Sequence, residues 1–287
     1  MTQTKINTYF EGRWHGADAP IMSAADHGAW LGTTVFDGAR YFNGVAPDLA
    51  AHCARVNASA SALMLNPFMD PDEMVRIVWE GLESFDKEAA VYIRPMYWAI
   101  ERGYLAVMPA DAKPGFAICL EEIPMPPPEA GARLTTTQFR RPVLENAVVN
   151  AKAGCLYPNN ARMLAEARAK GYDNALVLDA AGNVAESATA NIFMVRDGEV
   201  FTPVPNGTFL SGITRARHIT NLRADGVRVH ENVLTYDDFR AADEVFMSGN
   251  MAKVTPVLEF DGTHYQHGPI TKRARALYWE WAQKAQG

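Results

Sequence analysis

Hydrophobic and polar residues alternate along this chain with two different periods, and the changes of period divide it into elements. TYFEGRWH, residues 8–15, alternates about a Glu11-Gly12 pair and predicts a β-hairpin. GTTVFDGARYFNGVAP, residues 32–47, predicts a second one with turns at Asp37-Gly38 and Asn43-Gly44. Helical segments follow from Ala50 to Leu65 and from Pro71 to Phe85, and then a strand-like run, AAVYIRPMYWAI. The stretch EEIPMPPPEAGARL, residues 121–134, interrupts both periods, because its four prolines and one glycine continue neither a helix nor a central strand. The expected plan is an N-terminal α+β domain over 1–123, a linker over 124–133 and a C-terminal domain over 134–287.

Beyond the linker, PNNARMLAEARAKG opens with Pro158, where a helix tolerates a missing N–H, and closes at Gly171, a natural residue past a helix end. NALVLD and NIFMVRDGEVFTPV predict strands joined by turns at Ala181-Gly182-Asn183 and Asp197-Gly198. GITRARHITNLRADG predicts a helix ending at Gly226. In the last helix Ile270, Ala274, Leu277, Tyr278 and Trp281 share one face, a spacing suited to packing on a sheet.

Composition narrows the class. At 287 residues the chain can bury two cores. No apolar run approaches bilayer length, and the opening lacks the basic start and apolar stretch of a secretory signal, so a cytoplasmic protein without a membrane partner is expected. Cys53, Cys119 and Cys155 are odd in number and form no C-x-x-C pair, which argues against a disulfide framework and a metal site. A net charge of −6 without a basic run excludes a phosphate-backbone partner.

Four groups carry candidate chemistry. Lys152 lies inside the apolar run VVNAKAGCLYP. Taken alone it reads either as a strand-end lysine whose ammonium reaches water, or as a desolvated amine able to condense with a carbonyl. In FLSGITRARH, Gly212 admits close backbone approach while Ile213 and Thr214 open a helix whose free N–H groups favour an anion; an ordinary loop-to-helix junction has the same look. Glu186 stands among small residues before a strand, and Tyr157 follows Lys152 by five positions; each taken singly reads as solvated or core.

The order NAKAGCLYPNNARMLAEARAKGYDNALVLD, GNVAESATANIFMV, FLSGIT and ADEVFMSGNMAKVTPV resembles that of the class IV aminotransferases, and GTTVFDGARYF with VYIRPMYW resembles their branched-chain amino acid branch. The likeness runs from about Asn7 to Ala282. It implies pyridoxal 5′-phosphate as cofactor, held by Lys152 as a Schiff base, with Arg55, Ile213 and Thr214 on the phosphate together with the turn at Leu210 and Gly212. It also implies Tyr157 on the ring's phenolate oxygen and Glu186 on the ring nitrogen. Phe36, Gly38, Arg40, Tyr92 and Arg94 match its substrate pocket, with Arg94 as a fork for a carboxylate or, alternatively, a strand arginine bridging to an acid.

Two positions depart from the branch. Leu31 replaces a tyrosine, and the turn Ser248-Gly249-Asn250, continuing to Met251, carries Asn250 where a threonine is usual. Both bear on substrate carboxylate and phosphate binding and leave the amino donor open. The resemblance implies a small N-terminal α/β sandwich, a larger C-terminal domain with a β-barrel-like sheet, and a homo-oligomer in which Trp30 and Leu31 belong to the loop lent to a neighbour. Its first functional reading is a transaminase for hydrophobic, branched-chain-like amino acids with a 2-oxo acid acceptor such as 2-oxoglutarate. Second readings are an (R)-amine or D-amino acid transaminase or an aminodeoxychorismate-lyase-like enzyme. A catalytically silent binding protein is disfavoured by the presence of both Lys152 and Glu186.

Overall fold

A computed structural model describes residues 4–100, 107–109 and 112–286. They form two compact units, Met1–Met125 with Asn150–Cys155, and Pro126–Val149 with Leu156–Gly287.

The first unit contains, in chain order, β1 (Ile6–Phe10), β2 (Arg13–His15), α1 (His27–Trp30), β3 (Thr34–Phe36), β4 (Ala39–Tyr41), α2 (Leu49–Ala62), α3 (Pro71–Leu82), β5 (Val91–Trp98) and β6 (Gly115–Glu122). The β1–β2 hairpin forms as expected, with Glu11 at φ 48° and Gly12 at φ 80°, the positive pair that matches strand twist. The second expected hairpin does not form. β3 and β4 do not pair with each other; both lie antiparallel along β5, Phe36 opposite Met96 and Ala39 opposite Ile93, with the Asp37 N–H on Pro95 O at 2.9 Å. Asp37-Gly38 is therefore an irregularity in one long edge. Its physical reason is that the Asp37 carboxylate turns inward to several donors. Asn43-Gly44 is a true turn, at φ 50° and 82°.

Along β5 the period of two separates faces. Val91, Ile93 and Tyr97 are buried, as are Val56 and Ala60 of α2 and Ile77 and Val78 of α3, while Tyr92, Arg94 and Met96 point the other way. Asp70 caps α3 by accepting from Asp72 N and Glu73 N, with Pro71 in its first turn.

The second unit contains β7 (Ala132–Arg140), α4 (Tyr157–Ala169), β8 (Asn174–Leu178), β9 (Val184–Ser187), β10 (Asn191–Arg196), β11 (Glu199–Pro203), α5 (Ile213–Ala224), β12 (Val229–Asn232), α6 (Tyr236–Arg240), β13 (Glu244–Gly249), β14 (Lys253–Phe260), β15 (Thr263–His264) and α7 (Pro269–Gln286). Among the described residues its strands run β12-β11-β10-β13-β14-β7-β8-β9 in a curled, half-barrel sheet, with β15 on β14. The run IFMV in β10 has no polar interruption because both its faces are covered. Ile192 and Met194 enter one cluster with Leu134, Leu176, Met247 and Val257, and Phe193 and Val195 enter another with Ile219 and Leu222 of α5 and Ala274 of α7. The expected linker differs from the structure at its end: β7 already begins at Ala132, since Ala132 and Leu134 supply apolar side chains to the first cluster.

Candidate active site

The first unit gathers most of the expected substrate residues on the side of the sheet away from its helices. Residues directly opposite in an antiparallel pair point to the same face, so Phe36 opposite Met96 and Arg40 opposite Tyr92 join Arg94 there. A Cβ on Gly38 would come within 2.0 Å of the Tyr92 hydroxyl, so only glycine lets that tyrosine lie over the strand. Arg94 reaches Glu121 at 3.1 Å and lies 5.2 Å from the Tyr92 ring, which is the bridging role that its strand position allowed. Arg40 is fully buried, donating to Ile123 O at 2.5 Å and to Met125 Sδ at 2.9 Å, and burial lowers its pKa to about 10. Leu31 and Trp30 sit on an exposed turn at the end of α1.

Lys152 belongs to this unit. Its carbonyl accepts from Phe36 N at 3.1 Å, its N–H donates to Ser59 Oγ at 3.1 Å, and Ala153 bridges to Val35. The segment thus lies along β3 and holds the Lys152 Nζ 4.9 Å from the centre of the Phe36 ring.

Arg55, on α2, is held by a residue that the sequence did not reveal as functional. Asp37 is fully buried and accepts from Gly38 N at 2.7 Å, His52 Nδ1 at 2.6 Å, Arg55 Nε at 2.6 Å and Arg55 Nη2 at 2.8 Å. Burial alone would raise its pKa, but hydrogen bonds from Arg55 and His52 and their charges hold it well below the usual carboxylate range. His52 and Arg55 are three apart and so face the same way on the helix. The Asp-Gly pair masked this group by reading as a turn.

The second unit positions the remaining residues. Glu186, at the end of β9, lies 3.1 Å from Arg141 Nε and accepts from Asn191 Nδ2 at 3.2 Å. Arg141 is anchored by Asn160 Oδ1 at 2.6 Å and by the carbonyls of Ser187 and Ala188, each at 2.9 Å. Asn191 also donates to Leu210 O at 3.4 Å, and a Cβ on Gly212 would meet its Oδ1 at 2.0 Å. One amide therefore ties the acid to the loop that enters α5. Gly212 precedes that helix with no side-chain cap, so the N–H groups of Ile213 and Thr214 face a site that only a glycine leaves open.

In strand register Asn191 stands opposite Ser248, which begins the turn Ser248-Gly249-Asn250. Ser248 Oγ and Asn250 Nδ2 are buried without a hydrogen-bond partner among the described residues. Met251 is exposed beside them, and Tyr157 opens α4 half-exposed. Buried donors without acceptors and a glycine cradle at a helix N-terminus fit an anionic group such as the phosphate of the expected cofactor. No group of residues suited to a metal ion occurs among those described. Arg141, Asn191, Asp37 and His52 escaped the sequence reading because their roles depend on contacts with residues distant along the chain, which no local motif announces.

Comparison with known proteins agrees with this geometry. A family model described as Amino-transferase class IV matches residues 34–260. The branched-chain-amino-acid aminotransferase of Escherichia coli K12 is 30% identical over 97% of this chain and 94% of its own. Among solved structures, an aminotransferase from Brucella abortus bound to the cofactor PLP is 57% identical and superposes with a TM-score of 0.95 over 97% of this chain and 99% of its own. A branched-chain aminotransferase from Thermoproteus uzoniensis with norvaline is 31% identical, with a TM-score of 0.87 over 96% of this chain and 94% of its own.

Proposed function

This chain belongs to the class IV aminotransferases, and from that premise we propose that it moves an amino group between a hydrophobic, branched-chain-like amino acid and a 2-oxo acid such as 2-oxoglutarate. The observation that carries the substrate class is the sheet face of the first unit, where Phe36, Tyr92 and Met96 offer apolar surface and the Arg94 guanidinium, bridged to Glu121, stays partly exposed, beside the Lys152 segment. Such a face suits a substrate with one apolar side chain and one carboxylate.

Bound pyridoxal phosphate supplies an aldehyde that condenses with amines and a ring that draws electrons from the substrate's α-carbon. Lys152 is the amine that holds it. With the cofactor bound, the Lys152 amine, once released, would serve as the general base for the substrate's α-proton. Glu186, set by Arg141 and Asn191, is the partner for the protonated ring nitrogen. Arg55, Ile213 and Thr214 are the phosphate ligands, with Leu210 and Gly212 shaping the loop, and Tyr157 donates to the phenolate oxygen. A keto acceptor reverses the steps, so donor and acceptor alternate in ping-pong order. The same reading makes the enzyme a cytoplasmic homo-oligomer with small-molecule partners alone.

Asn250 in place of the usual threonine supports a second reading, an (R)-amine or D-amino acid transaminase. Initial rates with leucine, D-alanine and (R)-1-phenylethylamine, each with 2-oxoglutarate, separate the two. Leucine should exceed the others in kcat/KM by about tenfold or more. A faster rate with D-alanine or the amine would replace the first reading by the second.

A further inference from the structure

Lys253, the first residue of β14, is fully buried and takes a left-handed φ of 64°. A buried amine costs the fold free energy unless its hydrogen bonds are met, so its contacts reveal what it is for. Its Nζ donates to Asn250 Oδ1 and lies 5.2 Å from the centre of the Tyr278 ring. Its carbonyl accepts from the fully buried His218 Nε2 at 3.1 Å, which holds the unusual backbone in place.

An amine only donates, so the oxygen of the Asn250 amide must face it. That choice sends Nδ2 the other way, where it is buried and has no partner among the described residues. Ser248 Oγ, two residues earlier, is in the same state. Asn250 Nδ2 can only donate and Ser248 Oγ can donate, so the ligand that satisfies both is an acceptor with several lone pairs. Ser248 is opposite Asn191, which reaches the Leu210 carbonyl and lies against Gly212, so these donors adjoin the loop before α5.

We propose that Lys253 is a positioning residue that fixes the Asn250 amide as a donor to an anionic oxygen group, either the cofactor's phosphate or the substrate's carboxylate. This rests on the reading above that the Ser248–Asn250 turn faces an anion. A threonine hydroxyl rotates to its own acceptor and needs no such lever, whereas an amide must be told which end to present. Lys253 and Asn250 thus act as one device in place of the threonine.

The test uses purified protein with and without cofactor. Inorganic phosphate and pyridoxal phosphate are titrated into the cofactor-free protein by fluorescence, and 4-methylpentanoate into the loaded protein by its cofactor absorbance. Lys253→Met should weaken one of the two ligand classes by about tenfold. Loss on the phosphate arm identifies the phosphate, loss on the carboxylate arm the substrate. Asn250→Asp keeps a partner for Lys253 but removes the donor, so it should weaken the same arm even if Lys253→Met fails to fold.

In an Asn250→Thr background, Lys253→Met should change that arm less than about twofold, because the lever has nothing left to orient. The proposal is overturned if Asn250→Asp leaves both arms unchanged, if folded Lys253→Met does so, or if Lys253→Met is equally harmful beside Asn250→Thr. Binding of inorganic phosphate needs no amine at position 152, so its outcome stands apart from the fate of the proposed transaminase chemistry.

Discussion

A guanidinium held along one edge by both oxygens of a carboxylate with no exposure is far less free than one on a helix surface. Asp37 does this to Arg55, and His52 adds a third side-chain donor. Asp37→Asn puts an amide N–H against donors and leaves a buried charge without its partner, so the fold should lose about 3–5 kcal/mol. Affinity for pyridoxal phosphate should fall with it. Thermal unfolding and a cofactor titration check both, and an unchanged affinity in a folded variant would show that Arg55 needs no such support. At Gly212 the limit is steric. Gly212→Ala should disturb the Asn191 amide at a cost of about 1–3 kcal/mol and weaken cofactor binding, while the same change beside Asn191→Ala should cost much less, since the colliding oxygen is gone. Additive losses in those cofactor titrations would count against the contact. Lys152, Arg55 and Glu186 were singled out in sequence by the order of the motifs around them, since each taken alone reads as an ordinary lysine, arginine or glutamate. Asp37 and Lys253 were not, because an Asp-Gly pair reads as a turn and a lysine at a strand end reads as solvated.

At the scale of elements, the hairpins with positive-φ pairs and the capped helices follow from local chemistry, and the sequence displays them. The failure of the β3–β4 hairpin does not, since it depends on β5 offering one continuous edge to both strands and on donors from α2 drawing Asp37 inward. The packing of α5 against α7 and β13 buries His218 and leads to a pH dependence. Burial lowers the pKa of His218 from its ordinary 6.5 to about 4, the Lys253 carbonyl notwithstanding. The unfolded chain therefore binds a proton that the folded one refuses between those values, and stability is lost as pH falls from about 6.5 towards about 4. The share from this one residue is on the order of 3 kcal/mol. Urea unfolding of wild type and His218→Gln at pH 7 and pH 4.5 measures it. The variant should show a shallower acid loss, and parallel curves would contradict the assignment.

Across the whole molecule the passage from one unit to the other falls at Met125–Pro126, inside the proline-rich stretch, where prolines cannot extend either sheet from within. The stretch could not show that Asn150–Cys155 belongs with the first unit, for that return is made by an N–H on Phe36 and a hydroxyl on Ser59, contacts with no signature in the composition of the segment. The return matters to function, as it sets Lys152 beside β3. Every role proposed for the site requires that this amine carry the cofactor. Borohydride reduction of the loaded protein followed by peptide mapping tests it most directly: the account expects a single stable pyridoxyl adduct on Lys152, and an adduct on another lysine, or none on a yellow protein, would contradict it.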